Sequence, residues 1–272
     1  MLRDITLGQY YRTESVIHRL DPRVKLVATF AFIISLFLVK NIVGYIIAAA
    51  LLISCIKLSN VPVKFIFRGM KTIFFLLVIT MLFNLFLTPG TAIVSVWKIT
   101  ITYEGVKLAI MMAIRLIFLI TGSSIMTLTT TPNNLTDGLE SVLKPLKLLH
   151  VPVHEIAMMM SIALRFIPIL LEETDKIMKA QMARGADFES GSLINRAKSL
   201  VPLLVPLFIS AFRRALDLAM AMEARCYSGG EGRTKMKPLI YQRRDIIAYL
   251  VLVIYLVAIV VFGRLYSFSL NI

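Results

Sequence analysis

Long runs of apolar residues, separated by short polar segments, dominate this chain. The longest runs cover residues 25–39, 42–56, 71–87, 106–128 and 246–262. A helix needs about 20 mostly apolar residues to cross a bilayer, and Lys or Arg beside a shorter run can reach the interface. Each run therefore predicts a membrane-spanning helix. The pattern as a whole predicts an all-α, polytopic membrane helical bundle of about five spans.

Residues between the runs predict where some of these helices begin and end. Asp21 is placed to cap the first helix, and Pro22 suits its first position. Pro89 and Gly90 end the third run. The stretch 91–102 is rich in β-branched residues and holds Trp97, the single tryptophan. We interpret it as an outer loop at the membrane interface.

The region 129–245 has a different pattern, in which apolar stretches alternate with dense charge. Five of its prolines, which we expect to divide it into several helices, are Pro145, Pro152, Pro168, Pro202 and Pro206. Basic residues recur throughout the second half of the region. Such residues are retained on the cytoplasmic side of a membrane. The region therefore predicts a cytoplasmic helical insert in the bundle.

These patterns predict four segments. Residues 1–24 are polar and form a cytoplasmic N-terminal segment without a signal peptide. Residues 25–128 form a membrane domain of four spans, 129–245 form the cytoplasmic insert, and 246–272 carry the last span and the C-terminus. Four spans return the chain to the cytoplasm, and the fifth leaves the C-terminus outside.

Composition and charge support a membrane location. Hydrophobic residues make up 58% of the 272 positions and charged residues only 17%, whereas soluble domains have about 45–50% and 25%. The net charge is +14. The basic residues lie in short loops beside apolar runs, which is typical of membrane topology and argues against nucleic-acid binding. The two cysteines, Cys55 and Cys226, predict neither a disulfide nor a zinc site.

Two short segments of the insert resemble each other. Residues 181–186 read Gln-Met-Ala-Arg-Gly-Ala, and residues 222–227 read Met-Glu-Ala-Arg-Cys-Tyr. Each places an arginine between small residues at the end of a helical stretch, where its guanidinium can form two parallel hydrogen bonds with a partner carboxylate. Two plainer interpretations exist, because an arginine also favours a helix C-terminus and the nearby Met and Ala residues can fill a core.

With these motifs the chain resembles the T component of energy-coupling-factor (ECF) transporters, the EcfT or CbiQ family, over nearly its whole length. The resemblance rests on His-Arg-Leu-Asp-Pro-Arg-Val-Lys-Leu at 18–26, Thr-Thr-Thr-Pro at 129–132 with Leu135 and Leu139-Glu140, Leu-Arg-Phe-Ile-Pro at 164–168, Ala183-Arg184-Gly185 and Ala224-Arg225-Cys226. The last of these departs from Ala-Arg-Gly at Cys226, a position where the family varies.

The resemblance implies a non-catalytic coupling subunit in the bacterial cell membrane. In this family two coupling helices dock on a pair of ABC ATPases (EcfA-type, expected here as a heterodimer), and the motif arginines lie in the contacts. A separate membrane protein, the S component, binds a vitamin or metal ion and reorients to release it inside. The ATPases use ATP and Mg, and the T component itself binds no cofactor or metal.

Alternative functions find little support in the residues. The chain has no G-x-x-x-x-G-K-[ST] loop. His154-Glu155 begins an H-E-x-x-H-like string, but Met158 occupies the second histidine position. A secondary transporter or channel would carry membrane-embedded carboxylates, and a lipid-modifying enzyme would carry a carboxylate cluster at the membrane boundary. The sequence shows neither feature. Arg115 interrupts the fourth span. A charge inside the membrane is a functional candidate by default, and the alternative is a structural role, such as pairing with Glu104 or capping carbonyls at a bend.

Overall fold

The structure is a computed structural model that describes residues 10–39, 41–96, 99–186, 188, 194, 198–230, 236 and 238–269. Its α-helices are α1 (Pro22–Leu38), α2 (Ile42–Ser59), α3 (Val63–Leu87), α4 (Tyr103–Thr129), α5 (Pro132–Leu143), α6 (Val153–Ala183), α7 (Val201–Glu223) and α8 (Arg243–Ser269). A 3₁₀ helix covers Lys144–Leu149. The chain divides into two compact units. The bundle unit comprises Gly8–Val142 and Leu239–Ile272, and the insert unit comprises Leu143–Pro238.

The bundle unit has its core where α1, α2, α4 and α8 meet. Leu36 and Ala48 are fully buried there, and Leu52 and Ile259 pack beside them. A 2.8 Å hydrogen bond between the Ser35 and Tyr255 hydroxyls crosses this core. The outer faces of these helices carry many exposed large apolar side chains, which is the arrangement expected where lipid is the solvent.

The predicted spans correspond to helices of the bundle unit. Among the described residues, α2, α4, α6 and the first part of α8, Arg243–Gly263, are long and apolar enough to cross a membrane. The apolar part of α3, Ile73–Leu87, is shorter, and α1 has 17 residues. The predicted helical membrane bundle is confirmed. By length and composition α6 also qualifies as a span, although its second half carries Glu172, Glu173, Asp175, Lys176 and Lys179.

The start of α1 confirms the predicted cap. The Asp21 carboxylate accepts a 2.8 Å hydrogen bond from the Arg23 N–H, and Pro22 occupies the first helical turn. Buried Lys25 follows, and its ammonium donates to the carbonyls of His18 and Thr129. These bonds join the chain before α1 to the end of α4.

Two short β-strands lie within the stretch that the sequence predicts to be a loop. Strands β1 (Ala92–Val96) and β2 (Ile99–Thr102) pair antiparallel, with one irregularity after Ala92. The β-branched residues of this stretch have stiff side chains, which favour β-strands. Thr102 links the end of β2 to the neighbouring helices, since its hydroxyl accepts from the Gly105 N–H of α4 and donates to the Thr88 carbonyl after α3. Trp97 lies outside the described residues.

Arg115 caps a carbonyl, which is the second of its two predicted structural roles. Its guanidinium donates to the Val39 carbonyl at the end of α1 at 3.3 Å and to the Tyr45 hydroxyl at 3.1 Å. Glu104 instead accepts from the backbone and side chain of Thr91. Arg115 thus ties α4 to the turn between α1 and α2 through neutral acceptors.

Two prolines of the insert unit do not divide helices. Pro168 lies inside α6 and Pro206 inside α7, so the prediction that they separate helices is wrong. A proline removes one hydrogen bond from a helix and can bend it, whereas the turns on both sides keep theirs. Pro152 and Pro202 do lie at helix starts, and Pro145 lies in the first turn of the 3₁₀ helix.

Candidate functional site

The end of α6 is closed by a compact set of backbone hydrogen bonds. The N–H groups of Arg184 and Ala186 both donate to the Gln181 carbonyl at 3.0 Å. The Gly185 N–H donates to the Met182 carbonyl at 3.0 Å, and Gly185 has a φ of 89°. A left-handed residue just past the last turn is the Schellman-type ending that satisfies the final carbonyls of a helix.

The end of α7 repeats this arrangement residue for residue. The N–H groups of Arg225 and Tyr227 both donate to the Met222 carbonyl at 3.1 Å, and the Cys226 N–H donates to Glu223 at 2.8 Å. Cys226 has a φ of 56°. The similarity between residues 181–186 and 222–227 in the sequence is therefore a similarity of backbone conformation.

Cys226 adopts a conformation that glycine adopts at the equivalent position in α6. A left-handed conformation costs an ordinary L-residue roughly 1–2 kcal/mol, and glycine avoids this cost. A Cβ added at Gly185 would meet no atom within 4 Å. The requirement for glycine there comes from the backbone alone, and α7 tolerates the strain at Cys226.

The two helix ends present their motifs to solvent. All six motif residues are exposed, namely Ala183, Arg184, Gly185, Ala224, Arg225 and Cys226. In both motifs the arginine directly precedes the left-handed residue. Small neighbours leave room for a partner backbone, and the planar guanidinium can bind a carboxylate through two hydrogen bonds. Each end is thus suited to insertion into an acidic groove of another protein.

α6 and α7 are joined by polar contacts that place the two motifs at opposite ends of the helix pair. Arg214 donates to Glu173 at 3.0 Å, and the Gln181 side chain reaches the Pro202 carbonyl at 3.4 Å. Glu173 lies eleven residues before Arg184, and Arg214 lies eleven residues before Arg225. The contacts run antiparallel, so helix rise separates the two arginines by about 30 Å. The structure does not bring the two motifs together.

The sequence shows that Glu173 and Arg214 are equally spaced from the two motif arginines, but this spacing alone does not show that the two residues pair. Glu173 is one of three acids within four residues of α6, and Arg214 is one of two adjacent arginines of α7. Only the antiparallel packing of the helices selects this pair. Glu173 and Arg214 were therefore absent from the predicted site residues.

α7 also carries an exposed apolar stripe. The residues of the stripe recur every four positions and are 55–66% exposed. They are Leu204, Phe208, Phe212, Leu216 and Met220. Part of the stripe borders a groove of about 470 Å³ that Leu170 of α6 also lines. An apolar surface of this extent indicates contact with a membrane or a protein partner.

No group of three or more His, Cys, Asp or Glu side chains comes together within the part of the chain that the structure describes. His154 and Glu155 lie in the first turn of α6. His154 packs against the backbone of the insert unit at Gly230, where an added Cβ would lie 2.5 Å from the imidazole ring. The ring therefore contributes to packing inside the unit.

Fold and site define a class, a polytopic helical membrane protein in which the two helices of one pair end in the same exposed arginine motif. Residues 13–236 match the family described as Cobalt transport protein, CbiQ. The chain is 55% identical over 249 residues to the energy-coupling factor transporter transmembrane protein EcfT of Thermosediminibacter oceani, with 92% of this chain and 94% of the relative covered. It is 54% identical to EcfT of Clostridium kluyveri over 268 residues, with 98% and 99% covered.

A more distant relative extends over the same length. EcfT of Bacillus subtilis is 46% identical over 265 residues, which cover 97% of this chain and 100% of the relative. The chain therefore belongs to the EcfT family of energy-coupling factor transporter transmembrane proteins. The family predicted from the motifs at residues 18–26, 129–132 and 183–185 is confirmed.

Proposed function

We propose that this transmembrane component couples two cytoplasmic ABC ATPases to a substrate-binding S component. The observation that carries the proposal is the pair of identical helix endings at Arg184 and Arg225. One ATPase of an EcfA-type pair, expected to be a heterodimer, binds each ending. The separation of about 30 Å between the endings leaves room for two separate protein surfaces.

The S component binds the apolar stripe of α7 and carries the specificity for a vitamin or metal ion. An apolar, half-exposed helix face suits a partner that is itself a membrane protein. Movement of the ATPases displaces α6 and α7, and the stripe transmits the displacement to the S component. This chain holds no substrate in the proposal.

Hydrolysis belongs to the ATPases, which bind ATP and Mg, and this chain acts as a non-catalytic subunit. The protein is a multi-pass component of the bacterial cell membrane, with its N-terminus and insert in the cytoplasm. The basic residues of the insert support this orientation, because Lys and Arg accumulate on the cytoplasmic side.

Co-purification tests the role of the arginines. We expect Arg184→Ala/Arg225→Ala to lose both ATPases from the complex purified in mild detergent, since truncating one partner of a buried charge pair costs about 2–5 kcal/mol. Each single variant should weaken one ATPase contact. Arg165→Ala and Arg213→Ala are matched controls, because these exposed arginines lie on the same two helices away from the endings. Full ATPase binding and ATP-driven uptake by the double variant would disprove the assignment.

A separate variant tests the membrane partner. Phe212→Glu places a charge in the middle of the stripe and should release the S component while both ATPases stay bound. Arg213→Glu adds the same charge on a neighbouring face of α7 and should retain all partners. If both variants keep the S component, the stripe is not its docking surface.

A further inference from the structure

The 3₁₀ helix Lys144–Leu149 carries two unusually exposed leucines. Leu148 is 86% exposed and Leu149 is 74% exposed. The chain reverses direction just after them, because His150 has a φ of 60° and the Val151 N–H donates back to the Leu146 carbonyl at 3.4 Å. The reversal places Leu148 and Leu149 at the tip of a small closed turn.

The same turn is basic. Lys144 and Lys147 are exposed, and they are the only Lys, Arg, Asp or Glu residues between Glu140 and Glu155. Two lysines beside two bare leucines match an anionic lipid surface, which offers phosphate oxygens beside acyl chains. An acidic protein groove would bind the two lysines, but it would not explain why two leucines beside them are exposed.

The helix that precedes the turn is fixed to the end of a membrane span. An added Cβ at Gly138 of α5 would lie 2.9 Å from the Pro22 side chain at the start of α1. Lys144 follows Gly138 by six residues, so in the chain the basic turn comes directly after a helix that packs against the start of α1.

We propose that Lys144–Leu149 is an interfacial anchor that binds anionic phospholipid. Leu148 and Leu149 insert among the headgroups and upper acyl chains, and Lys144 and Lys147 bind lipid phosphates. The anchor holds the first part of the insert unit at the membrane surface before any partner protein binds. It is independent of the ATPase and S-component contacts proposed above.

Fluorescence quenching of the full chain in nanodiscs tests the proposal. In a Cys55→Ser/Cys226→Ser background, Leu148→Cys carries an environment-sensitive fluorophore, and the discs contain about 30% phosphatidylglycerol in phosphatidylcholine. Glu223→Cys, exposed at the end of α7, is the aqueous control, and Val257→Cys, exposed on α8, is the lipid control. Iodide should quench position 148 at least about threefold less than position 223, and lipids spin-labelled on the acyl chain should quench it as they quench position 257.

The charge component is tested separately. A lysine near an anionic surface favours the bound state by about fivefold, so Lys144→Glu/Lys147→Glu should expose position 148 to iodide. In discs of phosphatidylcholine alone, position 148 should also become exposed to iodide in the chain that keeps Lys144 and Lys147. Equal iodide quenching at positions 148 and 223 in the anionic discs would overturn the proposal. Protection that develops only when ATPases or an S component are added would also overturn it, because a protein would then cover the turn.

Discussion

The carboxylate of Asp245 accepts a hydrogen bond from the backbone N–H of Asp21 at 2.8 Å. Its second oxygen accepts from the Gln242 N–H at 2.7 Å, and the side chain is 1% exposed. The neighbouring Arg23 guanidinium lies over the Tyr241 ring, 4.7 Å from its centre, and donates to the Leu239 carbonyl. These contacts hold the first residues after the insert unit against the start of α1.

We expect Asp245→Ala to destabilise the bundle unit. Removing the carboxylate leaves two N–H groups without their acceptor, and each buried unsatisfied group costs about 1–3 kcal/mol. The thermal midpoint of the purified protein in detergent should therefore fall. Asp217→Ala, at an exposed position of α7, is the matched control and should leave the midpoint unchanged. An unchanged midpoint for Asp245→Ala would show that water replaces the carboxylate.

Arg115 should be replaceable by lysine only in part. Arg115→Ala removes the donors to Val39 and Tyr45 and should cost about 1–3 kcal/mol of stability. Lysine keeps the charge but lacks the planar fork that reaches both acceptors, so Arg115→Lys should give an intermediate thermal midpoint. Tyr45→Phe removes one acceptor and should lower the midpoint less than Arg115→Ala. ATPase binding should persist in all three variants, since Arg115 lies in the bundle unit.

His18 should make stability depend on pH below neutrality. Burial, together with the Lys25 charge, lowers the pKa of His18 from its usual value, although a hydrogen bond to the Tyr11 carbonyl opposes the shift. The folded state thus favours the neutral ring. This contribution is fully present above the unfolded pKa of about 6.5 and is lost as pH falls through the lower folded value.

His18→Gln removes this titration. The thermal midpoint of the wild type should decline more steeply than that of His18→Gln as pH is lowered from neutrality through the histidine range. His150→Gln, at an exposed position, should follow the wild type. Parallel pH profiles for the wild type and His18→Gln would mean that the ring charges at no cost in the folded protein.

The sequence predicts the helices well and their boundaries less well. Charges at Arg68 and Lys71 suggest that the third span begins at residue 71, but α3 begins at Val63, directly after Pro62. A charged side chain ends burial in lipid without ending a helix, because the backbone bonds of a helix are internal. The proline, which has no N–H to donate, is the better sign of the helix start.

The two arginine motifs were predictable in position, and their shared backbone geometry was not. Gly185 is an expected helix ending, whereas nothing in the residue type of Cys226 predicts a positive φ. Partners across the fold were also hidden: the carbonyl that Arg115 caps belongs to Val39, which lies 76 residues earlier in the chain. Local sequence predicts which stretches are helical, but long-range contacts follow from how the helices pack.

Exchanging the left-handed residues should change stability in opposite directions. Cys226→Gly relieves a strained backbone and should raise the stability of the α7 ending, whereas Gly185→Ala should cost about 1 kcal/mol. Because space around Gly185 is open, the loss reports strain rather than a clash. Hydrogen exchange of residues 181–186 and 222–227 measures both effects. Slower exchange in Gly185→Ala would contradict the left-handed ending.

The ion pair between Glu173 and Arg214 should couple α6 to α7. Its side chains are 26% and 37% exposed, so solvent weakens the pair, and a double-mutant cycle should give an interaction free energy of about 1 kcal/mol or less. The cycle compares Glu173→Ala, Arg214→Ala and the double variant by thermal unfolding. The charge exchange Glu173→Arg/Arg214→Glu should recover part of the loss.

Glu172→Ala is the matched control for this cycle, because Glu172 is the exposed neighbour of Glu173 on the same helix. It should show no interaction energy with Arg214→Ala. If the ion pair fixes α6 and α7 against each other, ATP-driven uptake should fall in both single variants of the pair and partly recover in the charge exchange. If the losses of stability are additive in the cycle and the single variants keep full uptake, packing between α6 and α7 holds the two helices together without the ion pair.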